Sequence, residues 1–417
     1  MTTEEGGAPR RALALAVAVA ALGYFVDIYD LVLFSILRVP SLRALGVGAA
    51  ELTTTGAALL NIQLAGMVLG GVAWGALGDR RGRLTVLFGS IVLYSLANLA
   101  NAFAQTVPQY AAMRFAAGVG LAGELGAGVT LVSELMGRER RGIGTTVVAS
   151  VGLTGAVVAG MLAEALIGRY GADGWRVCYA VGGAMGLVLL ALRVGVLESG
   201  VFERTRARDV PRGDVRMLVR PWSRALRFAR VILVGTPIWF AGGVLFVFAP
   251  EIGGALGLAT RPTGAKTILW AYVGVVLGDV LSGALSQRAR SRKRVLGGFL
   301  VALAGALAAL MTWGGRSLDT FYALMTLVGL STGYWVVFVT TASEQFGTNL
   351  RATVTTSAPN FVRGMAIPVT ALWLALKPSL GVIPATLAVG FATIALALAS
   401  LVGMRESFDN DLDFVEE

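Results

Sequence analysis

Apolar stretches of about 20 residues, each long enough to cross a bilayer as a helix, recur along the chain with short polar turns between them. They predict twelve spans, at 12–36, 55–77, 84–104, 108–135, 143–168 and 175–197 in the first half and 229–250, 266–286, 295–313, 319–343, 354–376 and 382–404 in the second. The turns alternate in charge. Even ones are basic: Arg80, Arg81 and Arg83; Arg138, Arg140 and Arg141; the run from Arg204 to Arg230; and Arg288 to Arg294. Odd ones hold isolated residues such as Arg38, Arg43, Arg261, Lys266, Arg316 and Lys377. Lysine and arginine in short loops mark the cytoplasmic side, so both termini are expected there. The apolar run at 12–36 is too long for a secretory leader and contains Asp27 and Asp30, so it reads as an uncleaved span.

The two halves repeat. Ser133-Glu134, Arg141 and Thr145-Thr146 recur as Ser343-Glu344, Arg351 and Thr355-Thr356 at a constant offset of 210 residues. A weaker echo carries Gly75-Ala76-Leu77 and Arg80 over to Gly283-Ala284-Leu285 and Arg288. The pattern predicts an all-α membrane protein of two pseudo-symmetric six-helix bundles, residues 1–197 and 229–417, joined by a basic cytoplasmic linker at 198–228. Val215, Leu218, Val219 and Trp222 have helical spacing in that linker. Either they lie along the anionic inner leaflet or the segment is a solvated loop.

Composition removes other classes. Of 417 residues, 56% are hydrophobic and only 14% charged, against roughly 25% charged in soluble proteins. The net charge of +10 sits in the turns and forms no separate basic domain, which argues against nucleic acid as a partner. With one cysteine, Cys178, and no histidine, the chain offers no disulfide framework, no metal-ligand spacing and no histidine-based triad. No Walker loop occurs either. An enzyme, a metal or cofactor, and direct use of ATP are therefore not expected. Proton coupling near neutral pH would fall to carboxylates shifted by burial, because the usual switch residue is missing.

Several polar residues fall inside the predicted spans. Asp27 and Asp30 are three apart and share a helix face. A carboxylate there costs at least about 2.5 kcal/mol and faces a bundle interior or a cavity. Each is either a proton site or a structural pair, and Asp30 lies nearer the helix end. Arg114 lies roughly 9 Å inside its span, where Asp30 and Asp27 lie at about 9 and 14 Å. That depth makes an Asp27–Arg114 pair, remade on protonation, the leading expectation. Glu124, deeper in the same span, is a second proton-site candidate or a partner of a neighbouring helix.

In the second half, Arg363 stands beside Asn360 in span eleven, where its fork suits a carboxylate; the other reading is a structural pair with Glu344 or another acid. Asp279 in span eight is the remaining buried-looking acid. Tyr24, Gln63, Trp239, Phe240, Tyr334 and Trp335 either line a pocket or simply pack. At the cytoplasmic ends, Glu134 with Arg141 and Glu344 with Arg351, together with Gly75, Asp79, Arg80, Gly82 and Arg83, read as charge latches between conformations or as solvated loop charges.

The order Gly75-x-Leu77-Gly78-Asp79-Arg80-x-Gly82-Arg83 resembles the signature of the loop between helices 2 and 3 of the major facilitator superfamily. Asp27-Ile28-Tyr29-Asp30, the series Arg114, Gly123-Glu124, Glu134 and Arg141-Gly142, and Leu197-Glu198-Ser199-Gly200-Val201-Phe202-Glu203 resemble its metabolite:proton symporter branch, a relative of the sugar porters. The resemblance implies alternating access, with the span-one acids and the span-four arginine acting in coupling. The expected protein is an inner-membrane, monomeric secondary transporter that imports a small carboxylate-bearing or zwitterionic metabolite with protons. A proton-driven exporter of organic cations, drugs or a secreted metabolite keeps the same fold, and three acids, Asp27, Asp30 and Glu124, leave it open. Gly152, Gly155 and Gly160 occur in span five without proline, which points away from an antiporter. A transport-dead sensor would need a signalling domain for which the short ends leave no room. The second half has Ser286-Gln287 where the first has Gly78-Asp79, so its latch is expected to be weaker.

Overall fold

A computed structural model describes residues 10–81, 83–123, 141–198 and 220–408. Its α-helices fall on all twelve predicted segments. In the first half they are α1 (Arg10–Ala44), α2 (Leu52–Arg81), α3 (Arg83–Asn101), α4 (Val107–Leu121), α5 (Arg141–Tyr170) and α6 (Gly174–Glu198). The second half holds α7 (Trp222–Phe240), which runs through a π-helical turn (Ala241–Phe246) towards α8 (Ala249–Ala255). It continues with α9 (Gly264–Ala289), α10 (Arg292–Trp313), α11 (Leu318–Thr332), α12 (Trp335–Glu344), α13 (Thr348–Gly364), α14 (Ala366–Leu380) and α15 (Val382–Val402).

Small residues set the helix spacing. Gly274 and Gly278 of α9 face Gly329 and Gly333 of α11 and its end. A Cβ at Gly274 would strike the Thr326 carbonyl, and one at Gly329 the Ala271 carbonyl. The first half repeats the device, with Gly118 of α4 against the Gln63 carbonyl of α2. Backbones in contact are how membrane helices gain packing when lipid supplies no hydrophobic drive. Hydroxyl caps fix the starts of α4, α9, α10 and α11, where Thr106, Thr263, Ser291 and Ser317 each accept from the N–H three residues on.

The spans depart from the expected rods in several places. Helix α1 continues to Ala44, so Arg38, expected in a turn, is a buried helical residue at 1% exposure. The signature at 75–83 is not an open turn: Gly75, Asp79 and Arg80 extend α2, and Arg83 opens α3. Helix α7 starts at Trp222, inside the expected linker, and its π-turn breaks what was expected as one straight span. The tenth and eleventh spans are each split, between α11 and α12 at Gly333-Tyr334 and between α13 and α14 at Met365. Gly82, Glu124 and Glu134 lie outside the described residues, and so do the side chains of Asp79, Arg80, Arg83, Arg141 and Arg351.

Candidate functional site

The two halves meet around a small cavity. From the first half it is lined by Ser35 of α1 and Gln63 of α2, and from the second by Trp239, Phe246 and, on α9, Tyr272. Its second-half wall is the π-turn itself, a distortion that recurs at functional sites. The space open to a water centre is about 20 Å³, which holds on the order of one water. Organic ligands occupy pockets of about 300 Å³ or more. The cavity is thus too small to hold an organic ligand in this structure. Among the described residues, Gln63 Oε1 and Trp239 Nε1 on the cavity wall, and Arg363 Nε close behind Trp239, have no hydrogen-bond partner.

Arg363 lies near the end of α13 at 2% exposure, its guanidinium 6.0 Å from the centre of the Trp239 ring. Across the interface it sits in the electrostatic field of Tyr24 and Asp27 of α1, and on its own side in that of Tyr272. Neighbouring Asn360 packs against Gly71 of α2, so this face of α13 looks onto the other half. The alternative pairing with Glu344 is not seen. Glu344 is held instead by Arg292, at 3.1 and 3.3 Å, and by the Ser407 hydroxyl at 2.7 Å. It was expected to latch to Arg351; its described partners come from α10 and from the chain after α15.

The expected Asp27–Arg114 pair is not formed in this structure either. Arg114, fully buried, donates through Nη2 to Asn98 Oδ1 and stacks 4.5 Å over the Tyr179 ring, while its Nε and Nη1 have no hydrogen-bond partner. Tyr179 in turn shares a 2.6 Å hydrogen bond with Tyr110. Asp30, not Asp27, points towards this cluster, with its Oδ1 against Gly182 one turn from Tyr179. The two acids of α1 thus serve different neighbourhoods: Asp30 lies against α6 within its own half, and Asp27 contributes to the electrostatic field at Arg363 in the other.

Two aromatic candidates pack away from the cavity. Tyr334 is fully buried at the α11–α12 break, where its hydroxyl donates to the Val234 carbonyl at 3.1 Å. Trp335 tilts against Phe338, ring centres 5.4 Å apart. Asp279 explains the break beside them. Its Oδ1 accepts the Val336 N–H at 2.9 Å, capping α12 from a neighbouring helix, and Gly333 lets the backbones touch there.

At the end of the bundle reached by the C-terminus of α1, a buried arginine ties the halves together. Arg38 Nη2 meets Glu251 Oε2 at 2.7 Å, Nε donates to the Val247 carbonyl and Nη1 to that of Leu52, each at 3.2 Å. Its guanidinium lies 4.7 Å over Phe248, and Thr53 donates to Glu251 Oε1 at 3.1 Å. Gly264 of α9 abuts the Ser35 and Ile36 carbonyls beside it. The half-exposed Lys266–Glu164 pair at 3.1 Å joins the same faces but is worth little. Sequence reasoning missed this latch, although an acid directly after Pro250 was a signal for it. It also missed Tyr272, Phe246 and Asn98; the Gly242-Gly243 doublet was the visible trace of the π-turn.

At the opposite end the chain after α15 straps α10. Burial pushes the Glu406 carboxyl up, but hydrogen bonds from the Ser291 hydroxyl and the N–H groups of Arg292, Ser407 and Lys293 outweigh it and hold the group below its usual value. Phe408 lies under Arg292 at 4.8 Å.

With this geometry in view, the comparisons are decisive on family. The Major Facilitator Superfamily profile matches residues 13–371. The chain belongs to that superfamily. It is similar to a niacin transporter of Acinetobacter baylyi, 28% identical over 369 residues that cover 80% of each chain. A gentisate transporter of Corynebacterium glutamicum is 25% identical over 94% of this chain and 88% of its own. A 4-hydroxybenzoate transporter of Pseudomonas aeruginosa is 28% identical over 66% of each. The solved structure of a D-xylose-proton symporter superposes with a TM-score of 0.70 at 17% identity, covering 95% of this chain and 98% of that one, and so shares the fold. The molecule is a multi-pass membrane transporter, and the cavity between its halves is the candidate transport site.

Proposed function

We propose that the protein is a proton-coupled symporter of a small aromatic or heteroaromatic carboxylate. The observation that carries this is Arg363: a buried guanidinium with an unused Nε–H, beside an aromatic ring, within the electrostatic field of a carboxylate of the opposite half. A fork of this kind binds a carboxylate through two parallel hydrogen bonds, and Trp239 offers a flat face and one more donor. The relatives transport niacin, gentisate and 4-hydroxybenzoate, each a planar ring with a carboxyl group.

The same arrangement supplies coupling. Ionised Asp27 balances Arg363, and a substrate carboxylate competes for that balance. Protonation of Asp27 releases the guanidinium to the substrate, so proton and anion load together and the site closes electrically neutral. Residues 1–197 and 229–417 then rock about the cavity. With both termini in the cytoplasm of an inner membrane, the Arg38–Glu251 end is the outer one, and import follows the proton gradient.

The test is uptake into proteoliposomes under an imposed pH gradient, with benzoate, 4-hydroxybenzoate and an organic cation as probes. Arg363→Ala should abolish anion uptake. Asp27→Asn should retain anion exchange but lose accumulation driven by the gradient. Cation movement that ignores Arg363→Ala would overturn the reading in favour of an exporter.

A further inference from the structure

The carboxylate reading uses donors of the second half and leaves one cavity-lining group of the first half, among the described residues, unexplained. Gln63 is 1% exposed, lines the cavity, and its Oε1 accepts no hydrogen bond. A buried acceptor without a donor is costly, and native structures keep few of them. Nor is Gln63 loosely placed. Gly118 lets the α4 backbone press on the Gln63 carbonyl, so α2 is pinned at this residue. Of the groups lining the cavity, Trp239 Nε1 is an unused donor on the second half and Gln63 Oε1 an unused acceptor on the first, and Arg363 Nε, a further unused donor, lies behind the Trp239 ring rather than on the wall.

We infer that Gln63 is a specificity residue, which reads a hydrogen-bond donor on the end of the substrate away from its carboxylate. A ring hydroxyl is the chemistry that fits, because it completes the acceptor while the carboxylate takes the donors opposite. The substrate then bridges the halves, each end satisfying one of them. This rests on the carboxylate reading of Arg363 and adds the second end of the ligand. Sites built to hydrogen-bond a substrate hydroxyl reject the analogue that lacks it, because the buried group is left unpaired. One neutral bond of this kind corresponds to discrimination on the order of tenfold.

The experiment is equilibrium binding to the purified full-length protein in nanodiscs. The probes are benzoate, 3- and 4-hydroxybenzoate, and the 3- and 4-fluorobenzoates that match the hydroxyl in size without donating. At one ring position or the other, the hydroxy acid should bind about tenfold tighter than its fluoro counterpart. Gln63→Leu should bring that ratio to within about twofold, by weakening the hydroxy acid and leaving the fluoro acid unchanged or tighter. A wild-type ratio near one at both positions, which needs no variant to fold, overturns the assignment. So does a ratio that survives Gln63→Leu. In either case the binding of the acids leaves the Arg363 reading standing, whereas failure of all five acids to bind overturns both.

Discussion

Removing Glu251 should open the end of the bundle that Arg38 seals. The pair is enclosed, with side-chain exposures of 1% for Arg38 and 14% for Glu251, and Glu251→Ala takes away one charged partner and the acceptor of Thr53. Breaking a fully buried pair costs about 3–5 kcal/mol. Here the loss is smaller, because Arg38 keeps two carbonyls and the Phe248 face and Glu251 was partly solvated. A hydrogen bond between charged groups contributes about 1.5–3 kcal/mol, so a loss of about 2 kcal/mol is expected. The protein need not unfold to relieve it. Parting the halves exposes Arg38 to water, and at 1.4 kcal/mol per decade the open population rises roughly 30-fold.

Ser35, on the cavity wall one turn from Arg38, reports that opening. Cys178 is buried and is the only native cysteine, so Cys178→Ser with Ser35→Cys gives a single labelling site. Its reaction with a membrane-impermeant maleimide added outside tracks the open population while that population is minor. Glu251→Ala should raise the rate roughly 30-fold, and replacing both partners by Met should bring it back towards the parent, since an apolar pair packs without a stranded charge. A rate within twofold of the parent would refute the latch.

Two further outcomes separate scaffold from transport chemistry. Asp279→Ala should cost about 1–2 kcal/mol as a lost helix cap, read as a lower melting temperature. Asp279→Asn keeps an acceptor for Val336 and should leave both stability and the pH profile of uptake close to the parent. For Glu406 the folded pKa lies below the unfolded one, so its contribution is complete above the usual glutamate value of about 4.3 and is lost as pH falls through the lowered folded value. Hydrogen exchange at 291–294 should accelerate only in that acid range, and Glu406→Ala should give the fast exchange at neutral pH as well.

The positions of the spans were legible because a membrane demands long apolar runs and says so in composition. Their shapes were not, because breaks depend on what the neighbouring helix provides. Gly333-Tyr334 interrupts the tenth span only because Asp279, on another helix, caps the segment that restarts. Arg38 was assigned to a turn on the rule that isolated arginines flank spans, and nothing near it in sequence reveals the acid that keeps it inside the bundle. Glu251 is 213 residues away.

The site was half legible for a related reason. Matching acids to bases by depth within one half predicted Asp27 with Arg114, while the duplicated spacing at the span ends predicted Glu344 with Arg351, whose side chain lies outside the described residues. Depth fixes only one coordinate, and it is blind to neutral partners: Arg114 lies with Asn98 and Tyr179, whose lack of charge hid them. An alternating-access cycle also needs something that pairing within a half cannot supply. A bond inside a rigid half is the same in every conformation and biases none of them, since only differential interaction shifts an equilibrium. Arg38 with Glu251, and Arg363 in the field of Asp27, join the first half of the chain to the second. In the proposed cycle these cross-half contacts, rather than the more numerous ones inside each bundle, are where proton and substrate act on the equilibrium.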